Sequence, residues 1–81
     1  MAVNSFGILQ SSNGDEATYE VSGPDLRGDF AGRLTVSATG EGQWDFHGEP
    51  SARRYARGIA SKALRQFTAD GSWPGHVSYI A

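Results

Sequence analysis

Cysteine is absent from this chain of 81 residues, and so is any long apolar run. The lack of cysteine excludes disulfide bonds, thiolate zinc sites and thiol chemistry, and it is typical of a reducing compartment. A membrane helix needs roughly 20 consecutive apolar residues, and the opening MAVNSFGILQ lacks the basic and apolar layout of a signal peptide. We therefore expect a cytoplasmic protein that has no cofactor, contacts no membrane and owes its stability to packing.

Apolar residues make up 38% of the chain, and its four Phe, three Tyr and two Trp are spread along the whole length. This content is too high for a disordered segment and supplies the anchors of a core. A chain this short leaves much of its surface in water and holds one modest core rather than two. Residues 1–81 are therefore predicted to form a single domain.

Five segments alternate apolar and polar residues as strands with one buried face do. Phe6 and Ile8 share one face of the first, and Phe30, Leu34 and Val36 share one phase of the third. Asn13-Gly14 suits a tight hairpin turn between the first two. The strands are expected over residues 3–10, 17–22, 30–38, 43–47 and 76–80, with further turns at Gly23-Pro24-Asp25 and Gly40-Glu41-Gly42.

A helix is expected from residue 50 or 51 to residue 68. Its apolar residues recur at steps of three and four and form one stripe: Ala52, Tyr55, Ala56, Ile59, Ala60, Ala63, Leu64 and Phe67. Pro50 suits a first helical turn, and Asp70-Gly71 suits a helix end. The element order β-β-β-β-α-β predicts an α+β fold, an antiparallel or mixed sheet with one amphipathic helix packed on one face.

The polar side of this helix is strongly basic. It carries five of the seven basic residues of the chain: Arg53, Arg54, Arg57, Lys62 and Arg65. No acid lies between Ser51 and Thr68, so the helix lacks the pairs at i,i+4 that usually neutralise a solvated helix. The first 49 residues hold eight acids against two arginines, whereas residues 50–81 hold the five bases against Asp70. These side chains are predicted to bind an anionic partner, unless Asp45 and Glu49 pair with them or they serve only solubility.

The residues that could carry catalysis do not form a set. Asp45 and His47 share a strand face, but two ligands without a third make a poor metal site. His76 stands alone, no serine lies in a nucleophile elbow, and Gly40-Glu41-Gly42 lacks the lysine of a phosphate loop. The tripeptide Arg27-Gly28-Asp29 matches an integrin-binding motif, but since we expect no secretion signal, we interpret it as a chance match in a polar turn. No enzymatic activity and no metal site are predicted.

Part of the chain resembles the HicB family of antitoxins. The stretch from Tyr19 to Gly28, YEVSGPDLRG, is similar to the family's Y-x-V-x-F-P-D-L-P-G, and Ala56, Ala60, Ala63-Leu64 and Phe67 follow its helix spacing. The resemblance implies a degenerate ribonuclease-H-like domain that neutralises another protein.

A second set of residues is similar to the double-stranded-RNA-binding domain. Gly23-Pro24 followed by Phe30, Leu34 and Val36 resembles its strands, and the run Arg53-Arg54-Tyr55-Ala56-Arg57 resembles its basic helix start. This resemblance implies phosphate contacts through the first turn of the helix.

Together these observations predict a non-enzymatic inhibitor or regulator, antitoxin-like or similar to small phage-encoded inhibitors of defence complexes. Its partner is expected to be an acidic surface of a larger protein, contacted by Arg53, Arg54, Arg57, Lys62 and Arg65. The alternative is a small RNA-binding module that contacts phosphates through the same residues.

Overall fold

The computed structural model describes residues 4–22, 30–39 and 43–80, without the side chains of Asn4 and Ile80. The predicted order of four strands, a helix and a strand is confirmed. The strands are β1 (Asn4–Asn13), β2 (Glu16–Ser22), β3 (Phe30–Ser37), β4 (Trp44–Gly48) and β5 (His76–Ile80), and a 3₁₀ turn (Pro50–Ala52) leads into helix α1 (Arg53–Asp70). The predicted turns at Gly23-Pro24-Asp25 and Gly40-Glu41-Gly42 and the Arg27-Gly28-Asp29 tripeptide lie outside the described residues.

The five strands form one antiparallel sheet in the order β4-β3-β2-β1-β5. The hairpin between β1 and β2 is present, but its turn residues are Gly14 and Asp15, because Asn13 already pairs with Glu16. Gly14 has φ 59°, a conformation that glycine adopts without steric cost. The hairpin therefore turns one residue later than predicted.

Helix α1 packs against both edge strands of the sheet, β4 and β5, and against β3 and β1. It ends at Gly71, whose φ of 78° and N–H bond to the Phe67 carbonyl form a left-handed cap. The chain then returns as β5, which pairs with β1 and not with its sequence neighbour β4. In the described part of the chain, no helix is long and apolar enough to cross a membrane.

The core lies between α1 and one face of the sheet. Its buried members from the sheet are Ala17, Tyr19, Val21, Ala31, Leu34, Val36, Phe46 and Val77, and those from the helical segment are Ala52, Tyr55, Ala56, Ile59, Ala60 and Ala63. The predicted apolar stripe of the helix is thus confirmed over most of its length. Leu64 and Phe67 are half-buried, and the Phe67 ring stacks on Trp73 with 4.3 Å between centroids.

The apolar residues at the start of β1 and β3 do not lie on the buried face that the alternation of apolar and polar residues predicts. Phe6 and Ile8 share a face, but it is the face away from the helix, and Ile8 is 42% exposed. The helix side of β1 carries small residues such as Gly7, where an added Cβ would lie 2.7 Å from Ile59 Cγ2. Phe30 is 57% exposed and not in phase with Leu34. A register shift between Val21 and Ser22 breaks the alternation there.

Candidate functional site

The structure places the five predicted basic residues on the outer side of α1, where every one of their side chains is exposed. We call this surface the basic helix face: Arg53, Arg54, Arg57, Lys62 and Arg65. The orientation of this face toward solvent follows from the sequence, because the apolar stripe faces the sheet and the opposite half of the helix is left in solvent. The face therefore owes its exposure to the amphipathic pattern of α1.

The start of α1 is electrostatically unusual. Its first turn holds Arg53 and Arg54 and no acid, and its N-cap residue, Ala52, makes no side-chain cap. A cation in the first turn opposes the helix dipole by roughly 0.3–1 kcal/mol. Aromatic rings offset part of this cost: the Arg53 guanidinium lies 4.9 Å from the centre of the Trp44 ring, and that of Arg54 lies 5.0 Å from the Tyr55 ring. Arg54 also donates a 3.1 Å hydrogen bond to the Tyr55 hydroxyl.

No acidic side chain in the described part of the chain forms an ion pair with this surface. Among the described residues, the only contact of ion-pair length is the 2.6 Å hydrogen bond between the Asp45 carboxylate and the His47 ring, on the sheet face away from the helix. The interpretation that Asp45 and Glu49 pair with the arginines is therefore wrong for the part of the chain that is described. Within that part, Arg57 has no hydrogen-bond or ion-pair partner, so its guanidinium is available to a ligand.

The cations line two clefts that share a wall. The first cleft, about 560 Å³, lies at the helix start and is lined by Trp44, Pro50, Ser51, Arg53, Arg54 and Arg57. The second, also about 560 Å³, runs between α1 and β5 and is lined by Arg54, Arg57, Gly58, Ser61, Lys62, Arg65 and Tyr79. Arg54 and Arg57 line both clefts. A ligand in either cleft would meet at least three cations.

Gly58 shapes the second cleft. The Tyr79 ring of β5 packs directly against this helical glycine, and a Cβ added at Gly58 would lie 2.3 Å from a ring carbon. Tyr79 also meets Tyr55 edge to face, with 6.3 Å between ring centroids. The glycine thus allows β5 to approach α1 and places an aromatic wall beside the cations.

Sequence reasoning found the cations but not the uncharged residues around them. Trp44, Gly58 and Tyr79 are not among the site residues predicted from the sequence. One signal was readable: glycine is disfavoured by about 1 kcal/mol inside a helix, so a mid-helix glycine such as Gly58 indicates a close approach by another element. The identity of that element depends on the pairing of β5 with β1.

The other residues considered for catalysis or metal binding do not come together in one site. Asp45 and His47 share the predicted strand face and contact each other, yet their side chains are largely exposed, and the described residues contain no group of three potential metal ligands. His76 packs beside Phe6, with 5.5 Å between ring centroids. These positions show no arrangement of nucleophile, base and orienting group.

The fold and the basic helix face together define a small α+β domain with a cationic helix that pairs with none of the described acids. No family model, no curated protein and no solved structure matches this chain.

Proposed function

We propose that this protein is a non-enzymatic regulator or inhibitor, of the antitoxin or phage-inhibitor kind, that binds an acidic surface of a larger protein through its basic helix face. One observation carries the proposal: five exposed cations lie along one helix, and none of them pairs with a described acid. Such a cluster repels itself and lowers stability unless a partner supplies the opposite charge.

Arginine suits this role because its planar guanidinium binds carboxylates through two parallel hydrogen bonds. Arg53 and Arg54 are held against aromatic rings, so part of the entropy of ordering their side chains is already lost before a partner arrives. Trp44 and Pro50 add apolar area beside the charges. A surface that combines arginine with an aromatic residue resembles the energetic centre of protein interfaces.

The charge of the whole chain favours protein over RNA as the partner. The net charge is −2, and the first 49 residues carry eight acids. Among these, Asp15, Glu16, Asp45 and Glu49 are exposed. Nucleic-acid-binding domains usually have a positive balance, because most of their affinity comes from phosphate contacts. RNA binding through the same helix face is the alternative outcome of the experiment below.

The first experiment captures the partner from the native host with the tagged protein, with and without nuclease, and then measures the affinity of the purified partner. Arg57→Glu should weaken binding by at least roughly tenfold, because it removes one charge-assisted contact and adds a repulsive one. The matched control is Arg33→Glu, which makes the same change in net charge on an exposed residue of β3. It should leave the affinity within about twofold.

Equal affinities for Arg57→Glu and the wild type would show that Arg57 is only a solvated side chain and would contradict the proposed role of the arginines at the start of α1. Capture that is lost on nuclease treatment would identify RNA as the partner. The triple change Arg53→Glu, Arg54→Glu and Arg57→Glu tests the three arginines at the start of α1 together. Circular dichroism should show an unchanged fold, since all three side chains point away from the core.

A further inference from the structure

The outer edge of β5 is a second surface with recognisable chemistry. The Leu9 N–H donates to the Gly75 carbonyl at 2.9 Å, so Leu9 and Gly75 form a hydrogen-bonded pair. Hydrogen-bonded and non-hydrogen-bonded pairs alternate along an antiparallel ladder. The pairs of Ser78 with Phe6 and of His76 with Ile8 are therefore non-hydrogen-bonded. The main-chain N–H and C=O groups of Ser78 and His76 consequently point away from β1, toward an edge where no described strand lies.

Lys62 caps this edge. Its ammonium donates a 2.7 Å hydrogen bond to the Ser78 carbonyl oxygen, one of the outward-pointing acceptors. Lysine at a sheet edge is a common means of preventing unwanted strand pairing. The bond is exposed, so the ammonium can leave the carbonyl at small cost when a better anion and a new main-chain donor arrive together.

A groove of about 390 Å³ runs along the same edge, between β5 and the last turns of α1. Lys62 and Arg65 line it on the helix side, and His76, Val77 and Ser78 line it on the strand side. An extended chain in this groove would meet main-chain donors and acceptors on one flank and cations on the other. Edge strands next to a helix are used in this way by several peptide-recognition domains.

The positive charges of Lys62 and Arg65 determine which kind of chain can bind along this edge. A second copy of the protein paired through β5 would bring two sets of Lys62 and Arg65 together across the new ladder, and these like charges would repel each other. An acidic segment in the same place would instead be attracted by Lys62 and Arg65. The glutamate side chains of such a segment would lie on the helix side, beside Lys62 and Arg65, and its alternate side chains on the open face of the sheet.

We propose that β5 accepts an extended acidic segment of the partner protein as a sixth, antiparallel strand, with Lys62 released from Ser78 to bind one of its carboxylates. This inference rests on the proposed function for its preference for acidic partners, and adds the mode of binding. In this arrangement, residues opposite His76 and Ser78 direct their N–H groups toward β5 and their side chains toward the open face.

The probe is an acetylated and amidated peptide of alternating Glu and Val, about eight residues long so that it overhangs the strand. With its glutamates facing α1, the peptide turns its valine N–H groups toward β5. Methylation of the valine nitrogens should lower the affinity at least about tenfold, whereas methylation of the glutamate nitrogens should leave it within about twofold. Both modified peptides keep the same charge. Isothermal titration calorimetry gives the affinities, and hydrogen exchange should slow at the Ser78 amide in the complex.

Strand addition is wrong if the two methylated peptides bind equally well, or if the unmodified peptide does not bind even at about 1 mM. The proposed function can survive either result, because it is judged separately by the effect of Arg57→Glu on the captured partner. Conversely, if the peptide pairs with β5 while Arg57→Glu leaves partner binding unchanged, the strand edge with Lys62 and Arg65 is the docking surface, and the arginines at the start of α1 are not part of it.

Discussion

Tyr19 lies on β2 with its side chain fully buried beneath α1. Its hydroxyl donates a 2.7 Å hydrogen bond to the carbonyl oxygen of Pro74, in the connection between α1 and β5. The contact joins residues that are 55 positions apart in the chain. Burial raises the pKa of this hydroxyl from 10.0 to about 12, because the phenolate would lose its hydration.

The buried hydroxyl of Tyr19 should make the stability of the fold depend on pH. The pKa of Tyr19 is 10.0 when unfolded and about 12 when folded, so its contribution is complete below pH 10 and is lost as the pH rises toward 12. The loss should reach roughly 2–3 kcal/mol. Tyr19→Phe should be less stable near pH 8 by roughly 1–3 kcal/mol, because the Pro74 carbonyl loses its donor. Urea unfolding from pH 8 to pH 12 should show the two curves converging. Parallel curves would mean that Tyr19 ionises equally in both states.

At the scale of elements, the fit between α1 and β5 depends on Gly58. Alanine is the better helix former by about 1 kcal/mol, so an isolated helix would gain from Gly58→Ala. In the folded protein the new Cβ would lie 2.3 Å from the Tyr79 ring, which must move. The packing of β5 on the helix therefore outweighs the intrinsic preference of the helix at this position.

We predict that Gly58→Ala lowers the free energy of unfolding by roughly 1–3 kcal/mol, as overpacked substitutions do. In a Tyr79→Ala background the same change should instead stabilise, by roughly 0.5–1 kcal/mol, because the clash is gone and only helix propensity remains. Chemical denaturation of the four proteins gives the coupling energy between the two sites. A coupling near zero would contradict the close approach of Tyr79 to Gly58.

At the scale of the whole molecule, charge is segregated. The molecule measures 32 × 22 × 20 Å, and the Debye length at physiological salt is about 8 Å. Exposed charges at opposite ends are therefore screened from one another, and the basic helix face acts as a separate positive surface despite the net charge of −2. A partner approaching from that side meets a local positive field.

This separation predicts how salt acts on partner binding. For a protein partner, raising the ionic strength from about 0.05 to 0.5 M should slow association roughly tenfold, with a smaller effect on dissociation, because steering is lost while apolar contacts at Trp44 remain. Stopped-flow mixing with the captured partner measures both rates. An equilibrium affinity that falls linearly with the logarithm of salt concentration, with a slope near the number of phosphates contacted, would identify a nucleic acid instead.

The sequence by itself determined the elements. The apolar stripe from Ala52 to Phe67 predicted α1. It also predicted that the cations are exposed, because a helix of 3.6 residues per turn places them on the side opposite the apolar stripe. The strands followed from their period of two, and β5 was predicted with its observed bounds. Local periodicity carries this information, since it depends only on neighbouring residues and on which side is buried.

Only the tertiary structure decided what lies next to the cations. The stacking of Arg53 on Trp44, the packing of Tyr79 against Gly58 and the bond from Lys62 to Ser78 each join α1 to a strand, and none of them lies within the range of a local sequence pattern. They exist because β5 pairs with β1 and because α1 packs against both edge strands, β4 and β5. The exposure of Phe30 has the same origin, since the register of β3 against β2 is set by pairing and not by the alternation of β3 itself. Strand order depends on long-range packing free energy, which a local pattern does not encode.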